Sequence, residues 1–431
     1  MKNQHGHLRR FAHVFFLSAA LSACTKNENP GQADAPAASR KEQNEVSASP
    51  VGDVVGKLVV GYQGWFGGPG DGSPFNSWRH WVAGGTPGPG NQTFELYPDV
   101  REYTTTYATN YASLGNGQPA KLFSSWTSQT VQRHFQWMQQ YGIDCAAVQR
   151  FGAHMFADNR DRDFKNSIMA KARNQAENYG RKFYVMYDIS GWTNFQAEIK
   201  TDWTNAMKTH TTSGAYAKQN GKPVVCIWGI GVPNRPGNAA SWLEVINWFK
   251  AQGCYVIIGV KRDWRGDATN LSAYYASNMI SPWSVGTFNS LAAADNYASI
   301  MQNDLAICNG RNIDYQPVVF PGFAWSNWKP GTPKNEVPRL HGDFMWRQFA
   351  NIRNQGIPNV YVAMFDEYDE ATAIAKAAEN SSMIPTNQYF LTLNADGVNC
   401  SSDFYLRLTG DGARMVKSQT ALVWAHPTSH Q

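Results

Sequence analysis

Four carboxylic acids stand within five residues in the segment Asp366-Glu367-Tyr368-Asp369-Glu370, directly after an apolar run. Closely spaced carboxyl groups raise one another's pKa values. One group can then keep its proton as a general acid while its neighbour stays ionised as a base. The spacing of Glu367 and Glu370 therefore indicates a candidate pair for acid–base chemistry, with Asp366 beside it.

A helical interpretation of the same residues is the main alternative. Asp369 could cap a helix over residues 371–378, and Glu370 would then stabilise the helix dipole from the first turn. This interpretation accounts for Asp369 or Glu370, but it leaves Asp366 and Glu367 unexplained.

The elements that must position these acids are eight apolar, β-rich runs that alternate with helical stretches. The predicted strands cover residues 58–66, 143–151, 182–189, 223–230, 254–261, 280–288, 315–324 and 359–365. The predicted helices include residues 130–141, 163–179, 241–251, 291–307 and 343–354. Near-continuously apolar strands are typical of a parallel sheet that is covered on both faces. The eightfold alternation predicts an α/β fold, a (β/α)8 or TIM barrel.

A long segment over residues 67–126 interrupts this alternation after the first strand. It is rich in Gly and Pro at first and contains several aromatic residues and His80. Long loops in compact domains are usually functional or disordered, and the aromatic content argues against disorder. We expect this loop to cover the C-terminal mouth of the barrel.

Candidate substrate-binding residues come from the C-terminal ends of the strands, where active sites lie in this fold. Nearly every predicted end offers an aromatic ring or a polar group, a mixture that suits an uncharged, polyhydroxylated ligand. The candidates are Tyr62, Trp65, His80, Arg150, Tyr187, Asp188, Trp228, Trp325 and Asp366.

Several of these segments together resemble bacterial proteins grouped as glycoside hydrolase family 71/99-like. The segments are GYQGWF, WRHW, YPDVREY, HFQWMQQYGID, QRF and FDEYDEATAIAK, and the resemblance extends over residues 58–408. Family 99 contains endo-acting α-mannosidases and α-mannanases on a (β/α)8 barrel. Its strand-8 motif, Asn-Glu-Trp-His-Glu-Gly-Thr, places its two glutamates on Glu367 and Glu370. Asp, Tyr, Asp and Ala replace the Asn, Trp, His and Gly of the family, so the substrate does not carry over with the pair.

The resemblance implies a retaining mechanism without a protein nucleophile. Glu367 would act as base on the 2-hydroxyl of the sugar, which attacks C1 to form a 1,2-anhydro sugar, and Glu370 would protonate the leaving oxygen. The expected function is an endo-acting glycosidase of α-mannan or a related polysaccharide. A glycosidase for α-1,3-glucan or a pentose-containing glycan is one alternative, and an α-1,3-glucanase would need carboxylates far enough apart to admit a water. A non-catalytic, glycan-binding surface lipoprotein is the alternative from another class.

The N-terminus has the features of a lipoprotein signal peptide over residues 1–23. A basic head is followed by an apolar run too short to span a bilayer, which ends in Leu-Ser-Ala-Cys. This ending resembles a lipobox and implies that Cys24 is acylated. We expect an exported lipoprotein anchored in the outer membrane, on its periplasmic face or at the cell surface. Residues 24–56 are predicted to be a flexible tether, and residues 57–431 the catalytic domain.

The composition of the chain limits the classes of binding partner that we expect. The 38 Lys and Arg residues and 33 Asp and Glu residues give a formal charge of +5, without the basic blocks that nucleic acid would require. The membrane contact would come from the lipid alone, and we expect a monomer whose partner is a polysaccharide. No CxxC or HExxH motif occurs, so no metal or other cofactor is expected. Cys145, Cys226 and Cys254 fall in apolar runs and are predicted to be buried thiols.

Overall fold

A ring of eight parallel strands forms the centre of the computed structural model, which describes residues 48–431. The strands are β1 (Leu58–Tyr62), β2 (Cys145–Phe151), β3 (Lys182–Asp188), β4 (Lys222–Ile230), β5 (Tyr255–Lys261), β6 (Met279–Trp283), β7 (Asp314–Tyr315 and Val318–Val319) and β8 (Val360–Val362). Each strand pairs in parallel with its neighbours in chain order, and β8 pairs with β1. The predicted (β/α)8 barrel is confirmed.

The ring closes through β7, which is split into two short segments. Asp314–Tyr315 pairs with β6, and Val318–Val319 pairs with β8. Pro317 lies between the segments and has no N–H group to donate to a ladder. The single long strand predicted over residues 315–324 is therefore wrong in its extent, although its place in the barrel is right.

Nine helices cover the barrel and its ends within the described residues. They are α1 (Ser128–Gln140), α2 (Gly152–Ala157), α3 (Asn159–Tyr179), α4 (Phe195–Asp202), α5 (Ala239–Ala251), α6 (Leu271–Tyr274), α7 (Leu291–Asn309), α8 (Asp343–Asn354) and α9 (Phe404–Val416). The helix α1 shows why they form. Its buried residues Val131, Phe135 and Met138 recur at the spacing of one helical face, and α1 packs against α3 over the barrel wall. Burying each such side chain contributes about 1.5–3 kcal/mol.

Short elements complete the chain. A π-helical turn follows α4 at Trp203–Met207, and 3-10 turns occur at Lys208–Thr212, Trp264–Gly266, Leu340–Gly342 and Ser381–Met383. Tyr107–Ala108 pairs with Lys121–Leu122 inside the long loop after β1, and Lys218–Gln219 pairs with β4.

Residues 49–56 pack against the barrel, although the tether was predicted to continue up to the first strand. Val54 and Val55 are fully or almost fully buried, and the backbone N–H of Val55 donates to Oε1 of Gln219, 3.1 Å away. The N–H of Gly56 donates to the side chain of Asn359 at 2.6 Å. Both acceptors lie next to the N-terminal ends of strands, so this N-terminal strap crosses the base of the barrel. The predicted signal peptide, Cys24 and most of the tether lie outside the described residues.

The cysteines of the described part are all thiols. Cys145, Cys226, Cys254, Cys308 and Cys400 are free and buried, which confirms the prediction made for the first three. Over residues 48–431, no helix combines the length and the apolar character needed to cross a membrane.

Candidate active site

The acidic segment forms a tight loop after β8, and the chain that follows the loop is hydrogen-bonded back to the residues after that strand. The N–H of Ile374 donates to the carbonyl of Met364 at 3.0 Å, and that of Ala375 to the carbonyl of Phe365 at 2.9 Å. Residues 371–378 form no helix, so the helical alternative for the acids is wrong. The four acids lie in the connection between these two hydrogen-bonded segments.

Asp366 fixes this loop to the end of β1. Its two carboxylate oxygens accept hydrogen bonds from the N–H groups of Gln63, at 2.7 Å, and Gly64, at 2.8 Å. Gly64 has a φ of 53°, and a Cβ atom there would lie 2.7 Å from Ile168, so a glycine is needed. Burial raises the pKa of Asp366 to about 6. Asp366 is fully buried and does not line the cavity described below, so its predicted role as a substrate ligand is replaced by a structural one.

The long loop after β1 supports the acidic loop from the other side. The N–H groups of Glu95 and Leu96 both donate to the carbonyl of Tyr368, at 3.0 and 3.1 Å. The carboxylate of Glu95 accepts hydrogen bonds from Oγ of Ser326 and the N–H of Asn327, each at 2.7 Å. The predicted cover of the barrel mouth is confirmed, and it also braces the loop that carries the acids.

A cavity of about 710 Å³ opens at the C-terminal ends of the strands. Its aromatic walls come from strand ends and from the long loop. The rings are those of Trp65, Trp78, Phe151, Trp228, Trp283 and Trp328. A cavity with this size and lining can enclose a small polar ligand between aromatic faces.

Four carboxyl groups face this cavity: Asp188, Glu367, Asp369 and Glu370. Burial raises the pKa of Glu370 to about 7 and that of Asp188 to about 6. Burial, and after it the charge of Glu370, raises the pKa of Glu367 well above its usual range. Burial, and then the charge of Glu367, does the same for the pKa of Asp369. The closely packed carboxyl groups therefore share protons near neutral pH, so one member can act as a general acid while its neighbour stays ionised.

His80 joins the acids to the aromatic wall. Its ring stacks on Trp65 with centroids 4.1 Å apart and an angle of 6° between the planes. Its Nδ1 lies 3.3 Å from Oδ2 of Asp369. Burial, and then the charge of Lys165, lowers the pKa of His80 well below its usual range, so the ring is neutral. The neutral His80 ring, stacked on Trp65, enlarges the flat aromatic surface that lines the cavity.

The structure brings six of the predicted site residues together around the cavity. They are Trp65, His80, Asp188, Trp228, Glu367 and Glu370. Tyr62 is not among them. Its side chain is fully buried and its hydroxyl lies 3.0 Å from Nδ1 of His134, on the helix α1 outside the barrel wall.

Arg150 and Tyr187 also lie outside the wall. Both are fully buried, and both contact Asp202: Nε of Arg150 donates to it at 3.0 Å and the hydroxyl of Tyr187 at 2.9 Å. Successive side chains of a strand point to opposite faces, so the neighbours Gln149 and Asp188 reach the cavity instead. Arg150 and Tyr187 therefore pack the outer layer, contrary to their predicted contact with substrate.

Trp325 was predicted to form part of the groove, but Trp328 takes that place. Nζ of Lys329 lies 3.6 Å from the centroid of the Trp325 ring, and Phe323 packs against its edge. Trp328 lines the cavity and remains 48% exposed. The exposed ring extends the aromatic wall outwards at the rim.

Sequence reasoning missed two polar residues beside the acids. Nε2 of Gln63 donates to Oε2 of Glu367 at 3.1 Å, and Nζ of Lys165 donates to the carbonyl of Gln63 at 2.9 Å. Burial lowers the pKa of Lys165 to about 7. Gln63 lies within the predicted strand over residues 58–66 and could have been found by taking the residue after Tyr62. Lys165 lies within the helix α3, where a lysine gives no such signal.

The acids of the site do not form a set of metal ligands. Within residues 48–431, no group of three or more His, Cys, Asp or Glu side chains is arranged to hold a metal ion.

Truncation of Trp228 tests the aromatic wall. Trp228 lines the cavity and meets Trp283 edge-on at 5.3 Å, so Trp228→Ala removes a stacking surface. We expect the affinity for a polyhydroxylated ligand of this cavity to fall by about 2 kcal/mol, as for an aromatic anchor, measured by calorimetry. Trp325→Ala is the matched control and should change affinity by less than about 0.5 kcal/mol. If the two variants had equal affinities and only their melting temperatures were lowered, Trp228 would not form part of a ligand-binding wall.

No family model and no curated protein matches this sequence. Among solved structures, the GH99 endo-α-mannosidase from Bacteroides thetaiotaomicron in complex with BIS-TRIS-propane superposes with a TM-score of 0.62 at 14% identity, covering 85% of this chain and 98% of that one. A second structure of that enzyme gives 0.62 at 15% identity, with 85% and 99% coverage. A structure described as a glycoside hydrolase-like protein gives 0.50 at 12% identity, with 77% and 98% coverage.

These identities establish a likeness of fold. The superposition spans nearly the whole of the GH99 structures and most of this chain. The resemblance inferred from the sequence segments is therefore confirmed at the level of the fold: this chain has the (β/α)8 architecture of the GH99 endo-α-mannosidases.

Proposed function

We propose that this protein is a glycoside hydrolase whose catalytic residues are Glu367 and Glu370. The observation that carries the proposal is a carboxyl pair, Glu367 buried and Glu370 partly buried, with raised pKa values on a braced loop that faces an aromatic cavity at the C-terminal end of a barrel. In this fold, catalytic groups come from that end. Most glycoside hydrolases use a pair of carboxyl groups, and aromatic faces beside the pair can stack on sugar rings.

Glu370 is the proposed general acid. Its pKa of about 7 lets it hold a proton near neutral pH and give it to the leaving glycosidic oxygen as the C1–O bond breaks. Glu367 is the proposed base. It takes the proton of the sugar 2-hydroxyl, whose oxygen attacks C1 to close a 1,2-anhydro ring. Water then adds at C1 while the Glu370 carboxylate takes its proton, and Glu367 returns its proton to O2. Both carboxyl groups regain their starting forms, and the configuration at C1 is retained.

The proposed substrate is an α-mannan or a related polysaccharide, cleaved within the chain. The 2-hydroxyl must lie trans to the leaving group for the internal attack, and α-mannosides meet this condition whereas α-glucosides do not. The fold likeness to structures named endo-α-mannosidases supports the same substrate class.

A polysaccharide panel tests the proposal. The protein starting at Ala48 would be incubated with α-mannans, α-1,3-glucan and pentose-containing glycans, and released reducing ends would be measured. The double variant Glu367→Gln, Glu370→Gln is the control for contaminating activity. Release from α-mannan alone is the expected result. Release from another glycan would correct the substrate, and binding without release would identify a glycan-binding protein.

The pH profile should show a loss of activity above about pH 7. The acid form of Glu370 is the active one, and its pKa is about 7, so kcat/KM falls tenfold per pH unit on the alkaline side. The measurement is kcat/KM from about pH 4 to about pH 9 on the polysaccharide that the panel identifies. With an activated aryl glycoside, which needs no proton, this alkaline limb should disappear. A profile on the polysaccharide that keeps rising throughout this range would contradict the role of Glu370.

We further propose that the protein is an outer-membrane lipoprotein acylated at Cys24, supported by the Leu-Ser-Ala-Cys ending of the signal-like segment. Cys24→Ser should leave the chain unprocessed at this site, with its apolar leader retained and no acyl chain attached, as measured by electrophoretic mobility and by incorporation of labelled palmitate in cells. Cys400→Ser, which alters a buried thiol, is the control and should be processed and labelled like the wild type. Unchanged labelling of the Cys24 variant would refute the assignment.

A further inference from the structure

Gln63 is held at the cavity by three hydrogen bonds. Its backbone N–H donates to Asp366 at 2.7 Å, its carbonyl accepts from Nζ of Lys165 at 2.9 Å, and its side-chain Nε2 donates to Glu367 at 3.1 Å. The residue is 3% exposed and lines the cavity. Its backbone and its amide nitrogen are therefore fixed before any ligand enters.

The remaining polar atom of Gln63 is Oε1. It is buried and has no hydrogen-bond partner within the part of the chain that the structure describes. Leaving such an acceptor unpaired costs about 1–3 kcal/mol. The structure places Nε2 towards Oε2 of Glu367, and Oε1 is left for a donor that enters the cavity.

We propose that Gln63 positions Glu367 through Nε2 and binds substrate through Oε1, which accepts a hydrogen bond from the sugar hydroxyl next to the one held by Glu367. This inference rests on the proposed function. If Glu367 takes the proton of the 2-hydroxyl, the neighbouring donor on the ring is the 3-hydroxyl. The pair of side chains then recognises a vicinal diol.

The nearest replacements in size do not serve both partners at this position. Asn is shorter by one methylene, Glu has no donor and would add a charge to the carboxyl cluster, and Met has neither group. The amide itself cannot exchange a proton at ordinary pH, so Gln63 acts through orientation and hydrogen bonding. Burial raises the pKa of Glu367, and the hydrogen bond from the Gln63 amide acts in the opposite direction. This hydrogen bond therefore favours the ionised form of Glu367, which a base needs.

The positioning role is tested without turnover. In protein labelled with ¹³C at the Glu carboxyl carbon, NMR titration follows Glu367 in the wild type and in Gln63→Met, which keeps the side-chain length. The apparent pKa of Glu367 should rise in the variant because a donor is lost. Gln149→Met is the matched control. Gln149 lines the same cavity, but its Nε2 faces Tyr361 and two methionine sulfur atoms, so the Glu367 titration should stay unchanged.

The binding role is tested with methyl α-mannoside and its 3-deoxy analogue by calorimetry. The wild type should bind the former about three- to tenfold more tightly, and Gln63→Met should bind both with the same lower affinity. Unfolding temperatures show whether the variants are folded. The role of Gln63 would be overturned if the pKa of Glu367 were the same in Gln63→Met and the wild type. It would also be overturned if Gln63→Met still bound methyl α-mannoside more tightly than its 3-deoxy analogue, as the wild type does. If the wild type did not bind methyl α-mannoside, both the mannoside assignment and the proposed hydroxyl contact would be overturned. The NMR titration tests the positioning of Glu367 separately.

Discussion

Glu370→Gln should reduce cleavage of a natural glycan by about 10²–10⁴-fold, the range typical of a lost general acid. An alkoxide leaving group needs a proton, and the amide cannot supply one. On an activated aryl or fluoride glycoside, whose leaving group departs unprotonated, the same variant should recover most of the wild-type rate. The measurement is kcat/KM on the two kinds of substrate.

The control for this comparison is Glu244→Gln, which alters a solvent-accessible glutamate on α5 that pairs with Lys200. It should leave both rates unchanged. If Glu370→Gln lost the same factor on both substrates, leaving-group protonation would not be its role. The lost activity would then be explained by a disturbed acidic loop. The carbonyl of Glu370 accepts a hydrogen bond from the N–H of Ala324 in this loop.

Glu367→Gln should abolish turnover of both kinds of substrate, with a loss of at least about 10³-fold on each. The 2-hydroxyl can no longer be activated, and a better leaving group does not replace that step. A 2-deoxy substrate should likewise fail with the wild type. Product followed by NMR from the first turnovers should appear as the retained anomer.

Two outcomes would refute this route. Inversion at C1, or normal activity of Glu367→Gln, would exclude the anhydro intermediate and move the base elsewhere. Asp188, at the end of β3, and Asp263, after β5, are the next candidates for the base, and the structure separates them. Asp188 lines the cavity with a pKa of about 6, whereas Asp263 is exposed beyond β5 and is not part of the lining. Asp188 would therefore be the next residue to replace.

The barrel could be predicted because several of its strands are long enough to appear as continuous apolar runs in the sequence. β2, β3, β4 and β5 have seven to nine residues each, and the runs predicted for them differ by at most two residues at either end. The closure through β7 could not be predicted, since its two segments have two residues each and are shorter than any periodic signal.

The site was predicted less completely, and the errors follow from strand geometry. Both faces of these strands are covered, so polar and apolar residues do not alternate and nothing in the pattern shows which face points inwards. Choosing Tyr62 and Arg150 instead of Gln63 and Gln149 is an error of one residue, which moves a side chain to the opposite face.

Asp366 was misassigned for a different reason. Four acids in a row suggest a shared role, but this carboxylate serves two backbone N–H groups of the chain 303 and 302 residues earlier. Local spacing carries no information about such partners. The acidic segment therefore contains one anchor and three groups that face the cavity, a division visible only in the folded chain.

The N-terminal strap has a consequence for how the protein can be held. The strands are parallel, the strap crosses their N-terminal ends, and the cavity opens at their C-terminal ends, so the chain enters the barrel on the side away from the cavity. A support joined directly to the described chain at residue 48 would be attached on the side of the barrel opposite the cavity. Surface immobilisation or fusion is therefore best made at this end. Trimming as far as β1 would instead strip Val54 and Val55 from the base of the barrel and uncover its core.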